Sequence, residues 1–475
     1  MTTDPTQYLS KFLQQTLLRD RTVPDVQLRA LLTDPDLCHR AQTILDHQRD
    51  LMNAAQRRFR LRLIQDLPLP LPNATVGQDY THTVALPTDS HDWKGVRLTG
   101  MTGQDELGLA YDPETQRLWG QPTAAGDHTV TLLYALDSDP DEDPVPRYKK
   151  AIRLTVNPNP RSLWQDKPSD PDAPFYKADV QSAFEALGDK QLLAGSKRGR
   201  SHANVGSFRD DHFGYRHYPD TGWTVVLVAD GAGSATYSRK GSELACSAVL
   251  DHLETQLTPA LQTELTELLA ATRAESDEQG DTKLRHFYYR LLGNAALKAH
   301  QLIKQFAEDQ GHSLRDYHTT LALAAVLPTD AGYAIGTFSV GDCPIGLLPK
   351  GQERVQLLNA LDVGEFGGGT RFLTMPSIFQ DSAKLMQRIQ HTHVRDFDYL
   401  VLMTDGIYDP KFEVEANLEK YAHWQAFLAD LRGDNPAQHG VDLSPDNPDA
   451  AQQLLTWMDF WSPGNHDDRT LLLLF

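Results

Sequence analysis

Apolar and polar positions change rhythm along the chain. From Asp4 to about residue 66 the apolar positions recur every three or four residues. Leu9, Phe12, Leu13 and Leu17 share one helical face, and Ala41, Ile44, Leu45 and Leu51 recur further on with arginines between them. Asp4-Pro5 and Asp34-Pro35 read as helix starts, an acid capping a helix whose first turn holds a proline. From about 67 to 157 the rhythm shortens to alternation, clearest in Asp127–Leu136 and Lys150–Val156. Short alternating runs between turns predict a β-sandwich. Asp137–Pro144 is an acidic, proline-bearing loop, and the Pro- and Asp-rich stretch 158–174 reads as a linker. From 175 onward, solid apolar runs alternate with helical patterns over Gly241–Leu257 and Leu284–Phe306. Strands, then helices, then antiparallel strands predict an α+β unit with helices covering a sandwich. The expected division is therefore 1–66 helical, 67–157 β-sandwich, 158–174 linker and 175–475 the mixed domain.

The solid runs end in acids. Val225–Ala229 leads into Asp230-Gly231, Tyr399–Met403 leads through Thr404 into Asp405-Gly406, and Tyr333–Val340 leads into Gly341-Asp342. At the C-terminus the order reverses, with Asp467-Asp468 preceding Leu471–Phe475. In an antiparallel sheet the end of one strand lies beside the start of its neighbour, so these acids can meet on one edge. Clustered carboxylates repel unless a cation sits among them, and oxygen donors without Cys or His point to Mg²⁺ or Mn²⁺.

The bulk numbers narrow the classes. A chain of 475 residues with 40% hydrophobic content can build two or three packed domains. A formal net charge of −19 argues against nucleic acid as a partner. Cys38, Cys246 and Cys343 are far apart and form neither a C-x-x-C pair nor a disulfide framework, which suits a reducing cytoplasm. The first residues show no signal pattern, and no apolar run approaches the roughly 18 residues of a membrane span. The expectation is a cytoplasmic protein without a membrane segment.

Two family resemblances rest on particular residues. Leu107–Gly126, with Asp112-Pro113 and Trp119-Gly120-Gln121-Pro122-Thr123, resembles the immunoglobulin-like modules of bacterial proteins; Gln116 and Arg117 stand where those modules usually have glycine. Such modules bind partners or space domains. The second covers nearly all of 195–475 and is carried by six motifs in order: Arg209-Asp210-Asp211-His212, Asp230-Gly231-Ala232-Gly233-Ser234, Thr319-Thr320-Leu321, Gly341-Asp342-Cys343-Pro344, Thr404-Asp405-Gly406, and Asp467-Asp468-Arg469-Thr470. Together they resemble the protein phosphatase 2C (PPM) family of metal-dependent Ser/Thr phosphatases, bacterial type.

That resemblance implies an αββα sandwich and hydrolysis of phosphoserine or phosphothreonine through a binuclear Mn²⁺ or Mg²⁺ centre, with a third ion in some members. By position, Asp230 would bridge two ions and the Gly231 carbonyl would bind one. Asp405 and Asp467 would hold the second, Asp210 and Asp211 would complete the shell, and Asp342 would serve the third. Asp230 and Asp405 are thus the catalytic acids. The chain departs from the pattern at Ala232, where many members have a histidine proposed as general acid, and at Gly206, where the phosphate-binding arginine lies. His202, Arg209 and Arg200 are the nearby stand-ins, with no choice among them from sequence. Cys343 reads as a packing residue. The departures leave a phosphatase-like binding module as the alternative. The implied partner is a phosphorylated protein. Gly364–Thr374 further resembles phosphatases encoded beside a kinase and a von Willebrand A-type protein in tellurite-resistance-type systems.

Overall fold

A computed structural model describes residues 4–19, 21–87, 93–137, 139, 148–275, 278–362 and 370–475. Most of the acidic loop Asp137–Pro144 and residues 364–369 of the glycine-rich stretch lie outside the described residues. The chain forms two compact units, Met1–Leu163 and Trp164–Phe475.

In the first unit, α1 (Pro5–Phe12) and α3 (Pro35–Asp66) begin at the two expected starts, and α2 (Asp25–Leu32), which the sequence reading did not single out, lies between them. The Asp4 carboxylate accepts from the Thr6 N–H, and Asp34 accepts from the N–H groups of Asp36 and Leu37, so each acid satisfies donors that a helix start leaves open. Leu9, Leu13 and Ala41 form a small core. The far end of α3 buries Ile64 in a second core belonging to the strands. These are β1 (Ala74–Thr75), β2 (Tyr80–Thr83), β3 (Val96–Thr102), β4 (Leu109–Asp112), β5 (Arg117–Gly120), β6 (Gly126–Leu136) and β7 (Tyr148–Asn157). Among the described residues they make two sheets, in the orders β1-β7-β6-β3 and β2-β5-β4. Alternation along β6 sends Val130, Leu132, Tyr134 and Leu136 into that core. The Lys150 ammonium on β7 donates to the Ile64 and Gln65 carbonyls at 2.8 and 2.9 Å, tying down the open C-terminus of α3. Gln116 takes φ 56°, a left-handed turn conformation that explains why glycine is usual there.

The second unit contains β8 (Val180–Leu187), β9 (Lys190–Lys197), α4 (Arg200–Val205), β10 (His212–Tyr218), β11 (Trp223–Ala229), α5 (Ser238–Gln256), α6 (Pro259–Glu275), α7 (Glu278–Tyr288) and α8 (Asn294–Asp309). It continues with β12 (Leu321–Thr329), β13 (Gly332–Val340), β14 (Ile345–Pro349), β15 (Gln356–Leu357), α9 (Ser382–Gln387), β16 (Ile389–Val394), β17 (Phe397–Met403), α10 (Asp405–Phe412), α11 (Tyr421–Leu431), α12 (Ala450–Trp457) and β18 (Arg469–Leu474). Two sheets, β10-β11-β12-β13-β16 and β15-β14-β17-β18-β9-β8, stack face to face. The solid apolar runs are what this stacking needs. On β11, Val225, Leu227 and Ala229 face the core under α5 and α8, while Val226 and Val228 face the core between the sheets. On β18, Leu472 and Leu474 enter the inter-sheet core and Leu471 and Leu473 the one under α10, α11 and α12. Helix, sheet, sheet and helix therefore lie in four layers, the expected αββα arrangement.

Two sequence expectations need correction. The continuous helix over Leu284–Phe306 is interrupted at Tyr289–Gly293 by a π-helical turn between α7 and α8. The turn accompanies a tight fit of Tyr288 against β13: a Cβ on Gly336 would fall 2.1 Å from the Tyr288 ring. Residues 164–174 of the expected linker belong to the second unit. There the Gln165 N–H donates to Asn204 and Asp166 pairs with Arg198.

Candidate metal centre

Strand topology brings five of the acids to one end of the sandwich. Asp230 leaves the end of β11, Asp342 follows β13, Asp405 opens α10 immediately after β17, and Asp211 and Asp467 precede β10 and β18. Asp230 is clamped by the start of β12: its N–H donates to the Thr320 hydroxyl at 2.8 Å, and its carbonyl accepts from the Thr320 N–H and the Thr319 hydroxyl. Gly231 has no room for a side chain, since a Cβ would stand 2.6 Å from the Asp210 carbonyl oxygen. Gly406 is tighter still, with a Cβ at 1.9 Å from the Asp468 carbonyl. These glycines let the Asp210, Asp405 and Asp467 segments approach one another.

Among the described residues the cluster lacks enough positive charge to balance it. Burial and the neighbouring charges of Asp211, Asp405, Asp467 and Asp342 push the Asp230 carboxyl well above the usual carboxylate range. Burial and then Asp467, Asp342 and Asp211 do the same to Asp405. Asp211 is pushed up to about 7, by burial first and Asp468 second, although the Thr404 and Thr470 hydroxyls donate to it at 2.8 and 2.7 Å. Asp210 rises to about 6 for the same first two reasons. Asp467 is exposed, yet desolvation within the cleft and Asp468 still raise it. The Oδ1 atoms of Asp342 and Asp405 are buried without a hydrogen-bond partner. Orphaned carboxylate oxygens in a crowd of like charges are a cost that a divalent cation removes, so the donor set fits hard cations of the Mg²⁺ and Mn²⁺ type.

The sequence marks Asp468 as an acid in a supporting position beside the ligands, but not how it orders this edge. Asp468 is buried, and its two oxygens accept from the Gly199 N–H at 2.6 Å, the Asp210 N–H at 2.5 Å and the His202 Nδ1 at 3.0 Å. Burial alone would raise its carboxyl; His202 and the N–H donors hold it below the usual range. Burial alone would likewise lower His202, but Asp468, Asp210 and Asp467 raise it to about 10. The imidazole, carried by α4, is thereby cationic, with Nε2 3.7 Å from Asp210 Oδ2. The same ring atom lies 4.0 Å from where a Cβ on Gly233 would stand, so His202 flanks the Ala232-Gly233 turn in space. The available signal was Asp468 itself, a second acid where the family motif has an amide.

The structure separates the three basic stand-ins. Arg209 is 2% exposed, and its guanidinium donates to Ala178 O, Ser196 Oγ, Asp211 O and Gln181 Oε1, so it braces the floor of the cluster and does not face an incoming anion. Arg200 donates to the Phe460 and Asp459 carbonyls. His202 alone of the three lies against the acids.

The family model for protein phosphatase 2C matches residues 198–457, more than half of the chain, and the chain belongs to that family. It is a phosphoprotein phosphatase of the manganese- or magnesium-dependent class. No curated protein sequence matches it. Among solved structures, the catalytic domain of the serine/threonine phosphatase PstP, crystallised with two manganese ions, is 18% identical, with a TM-score of 0.36 over 60% of this chain and 97% of that one. Stp1 from Staphylococcus aureus is 12% identical, with a TM-score of 0.35 over 64% and 98%. A bacterial serine phosphatase is 14% identical, with a TM-score of 0.33 over 60% and 96%.

Proposed function

We propose that the chain hydrolyses phosphoserine and phosphothreonine in protein substrates at a centre of two or three Mn²⁺ or Mg²⁺ ions. Asp230 and the Gly231 carbonyl would hold the shared position, Asp405 and Asp467 the second, and Asp342 a third, with Asp210 and Asp211 completing the shell. The observation that carries the reading is the convergence of these acids without enough opposing charge, leaving two buried carboxylate oxygens orphaned. When bound, such ions supply a water acidic enough to attack and a clamp for the phosphoryl oxygens. The chain's own residues supply position. Thr319 and Thr320 fix Asp230, Thr404 and Thr470 orient Asp211, and Asp468 aligns the Asp210 backbone with His202. His202 holds a proton at the edge of the cluster and is the group best placed to meet a phosphoryl oxygen or the departing alkoxide. Ala232 leaves its own sequence position without such a donor, and His202 reaches the same turn from α4.

Phosphopeptide hydrolysis with Mn²⁺ tests this. Wild-type protein is expected to release phosphate from phosphoserine and phosphothreonine peptides, and Asp230→Ala to release almost none. Equal rates in the two proteins overturn the proposal. Mn²⁺ binding without turnover in wild type would favour the phosphatase-like binding module, the reading that Ala232 and Gly206 motivate.

A further inference from the structure

Trp223, Trp424 and Trp457 lie at 2% exposure or less in the cores of the catalytic unit. Trp164 and Trp461 belong to none of those cores, and both stay partly exposed. They meet at His466: the Trp164 and Trp461 rings stand 4.4 and 5.0 Å from its imidazole, centre to centre. His466 immediately precedes Asp467, an acid of the metal cluster, so the three rings form a platform at the rim of that centre. Each part is pinned. The Gln165 N–H donates to the Asn204 side chain at 3.0 Å and the Lys167 N–H to the Ala203 carbonyl at 2.9 Å, which fastens the segment carrying Trp164 to α4. The Ser201 N–H and hydroxyl both donate to the His466 carbonyl, at 3.0 and 2.9 Å, and the Ser462 hydroxyl donates to the Asn465 carbonyl. Nδ1 of His466 is buried without a hydrogen-bond partner, so packing on the indoles sets that ring. A rigid indole surface left partly in water gains free energy when covered and loses little conformational freedom in the process, which is why tryptophan so often anchors an interface.

The neighbours set the chemistry of the occupant. The Arg200 guanidinium lies 5.5 Å from the Trp461 ring centre while its N–H groups hold the Asp459 and Phe460 carbonyls, so a cation already sits on that ring. A second cation would meet Arg200, whereas an apolar ring would extend the stack. We propose that Trp164, His466 and Trp461 form a docking platform for an aromatic side chain that flanks the phosphoserine or phosphothreonine of the substrate, and that they thereby set the sequence preference of the phosphatase. This rests on the reading of the acid cluster as the hydrolytic centre and adds to it a preferred class of protein substrate. Because the platform stands on the Asp467 side of the cluster, the preference belongs to one side of the phosphorylated residue.

Phosphopeptides that differ in one residue test the platform. Full-length protein with Mn²⁺ is given phosphoserine peptides carrying phenylalanine, alanine or arginine, placed in turn at the two positions before and the two after the phosphoserine. Hydrolysis of p-nitrophenyl phosphate, which has no flanking residues, is measured on the same preparation. Wild type is expected to favour phenylalanine over alanine in kcat/KM by at least about fivefold, on one side of the phosphoserine only, the scale of one added aromatic contact with its buried area. In Trp164→Ala that ratio should fall to near one, and because a ratio is read, any general change in turnover cancels. A ratio near one in wild type, a preference for arginine over phenylalanine, or a ratio unchanged in Trp164→Ala overturns the platform, and hydrolysis of p-nitrophenyl phosphate alongside leaves the phosphatase reading standing. No hydrolysis of any of these substrates overturns both. Should Trp164→Ala not fold, Trp164→Phe decides instead: a ratio that falls partway supports the platform, and an unchanged ratio overturns it.

Discussion

The two ends of the catalytic sandwich gather acids by the same topology and treat them in opposite ways. At one end Asp230, Asp405, Asp342 and Asp211 are crowded together, and each carboxyl is held above its usual range. At the other, the turns after β8, β12, β14 and β16 share a groove lined by Asp189, Tyr333, Lys350, Arg395 and Asp396. There the Lys190 and Lys350 ammonium groups each stand 2.8 Å from Asp396. Burial would raise the Asp396 carboxyl, but the two lysines draw it down to about 2. Where acids are only structural, the sequence provides cations beside them. Where it withholds enough positive charge, a cation from solution would restore the balance, and that contrast is what singles out the end proposed as the working one.

The contrast can be broken most severely at Asp230. Asp230→Ala should lower Mn²⁺-dependent turnover by more than about a hundredfold, the scale for losing one preorganised electrostatic contact to the transition state. Steady-state kinetics on a phosphopeptide check this. Asp468→Asn should cost about tenfold, as is common for groups that orient metal ligands. An amide cannot accept from Gly199, Asp210 and His202 on two oxygens, so part of the loss should appear as weaker Mn²⁺ binding by calorimetry.

Stability against pH sharpens the comparison with opposite signs. Asp211 has a folded-state value of about 7 against an ordinary 3.8, so the metal-free folded state holds a proton that the unfolded chain has released. Metal-free stability should therefore fall as pH rises from about 4 to about 7, on the order of 1 kcal/mol or more. Saturating Mn²⁺ should abolish the trend in thermal melts. Asp396 runs the other way: its contribution is present above about pH 4 and is lost as pH falls towards 2. Because Asp396 and Lys350 are partly exposed, Asp396→Asn should cost under about 1 kcal/mol and less at high salt.

Much of the layered fold was legible because a strand buried on both faces must be apolar at every position, as Val225–Ala229 is. The acids at the run ends were legible for the same reason: a carboxylate marks where such a strand leaves the core. What could not be read was how the acids are held. The partners of Asp468 lie more than 250 residues away in sequence, as do those linking Thr470 to Asp211, so only register brings them together. Arg209 looked like a phosphate ligand because it adjoins the acid pair; its direction depends on the Ala178 carbonyl just before β8 and the Ser196 hydroxyl on β9 that it reaches. Cys343 read as packing, and it lies in the core between the two sheets.

β18 sits between β17 and β9 in the middle of its sheet, and Asp467, Asp468 and Thr470 arrive with it. Closing the sheet and arming the centre are therefore a single event. A chain clipped before Arg469 loses the seam that joins the two halves of that sheet together with the anchor for Asp211. Loss of these few residues would disable the proposed centre while every acid before them in the chain is still present.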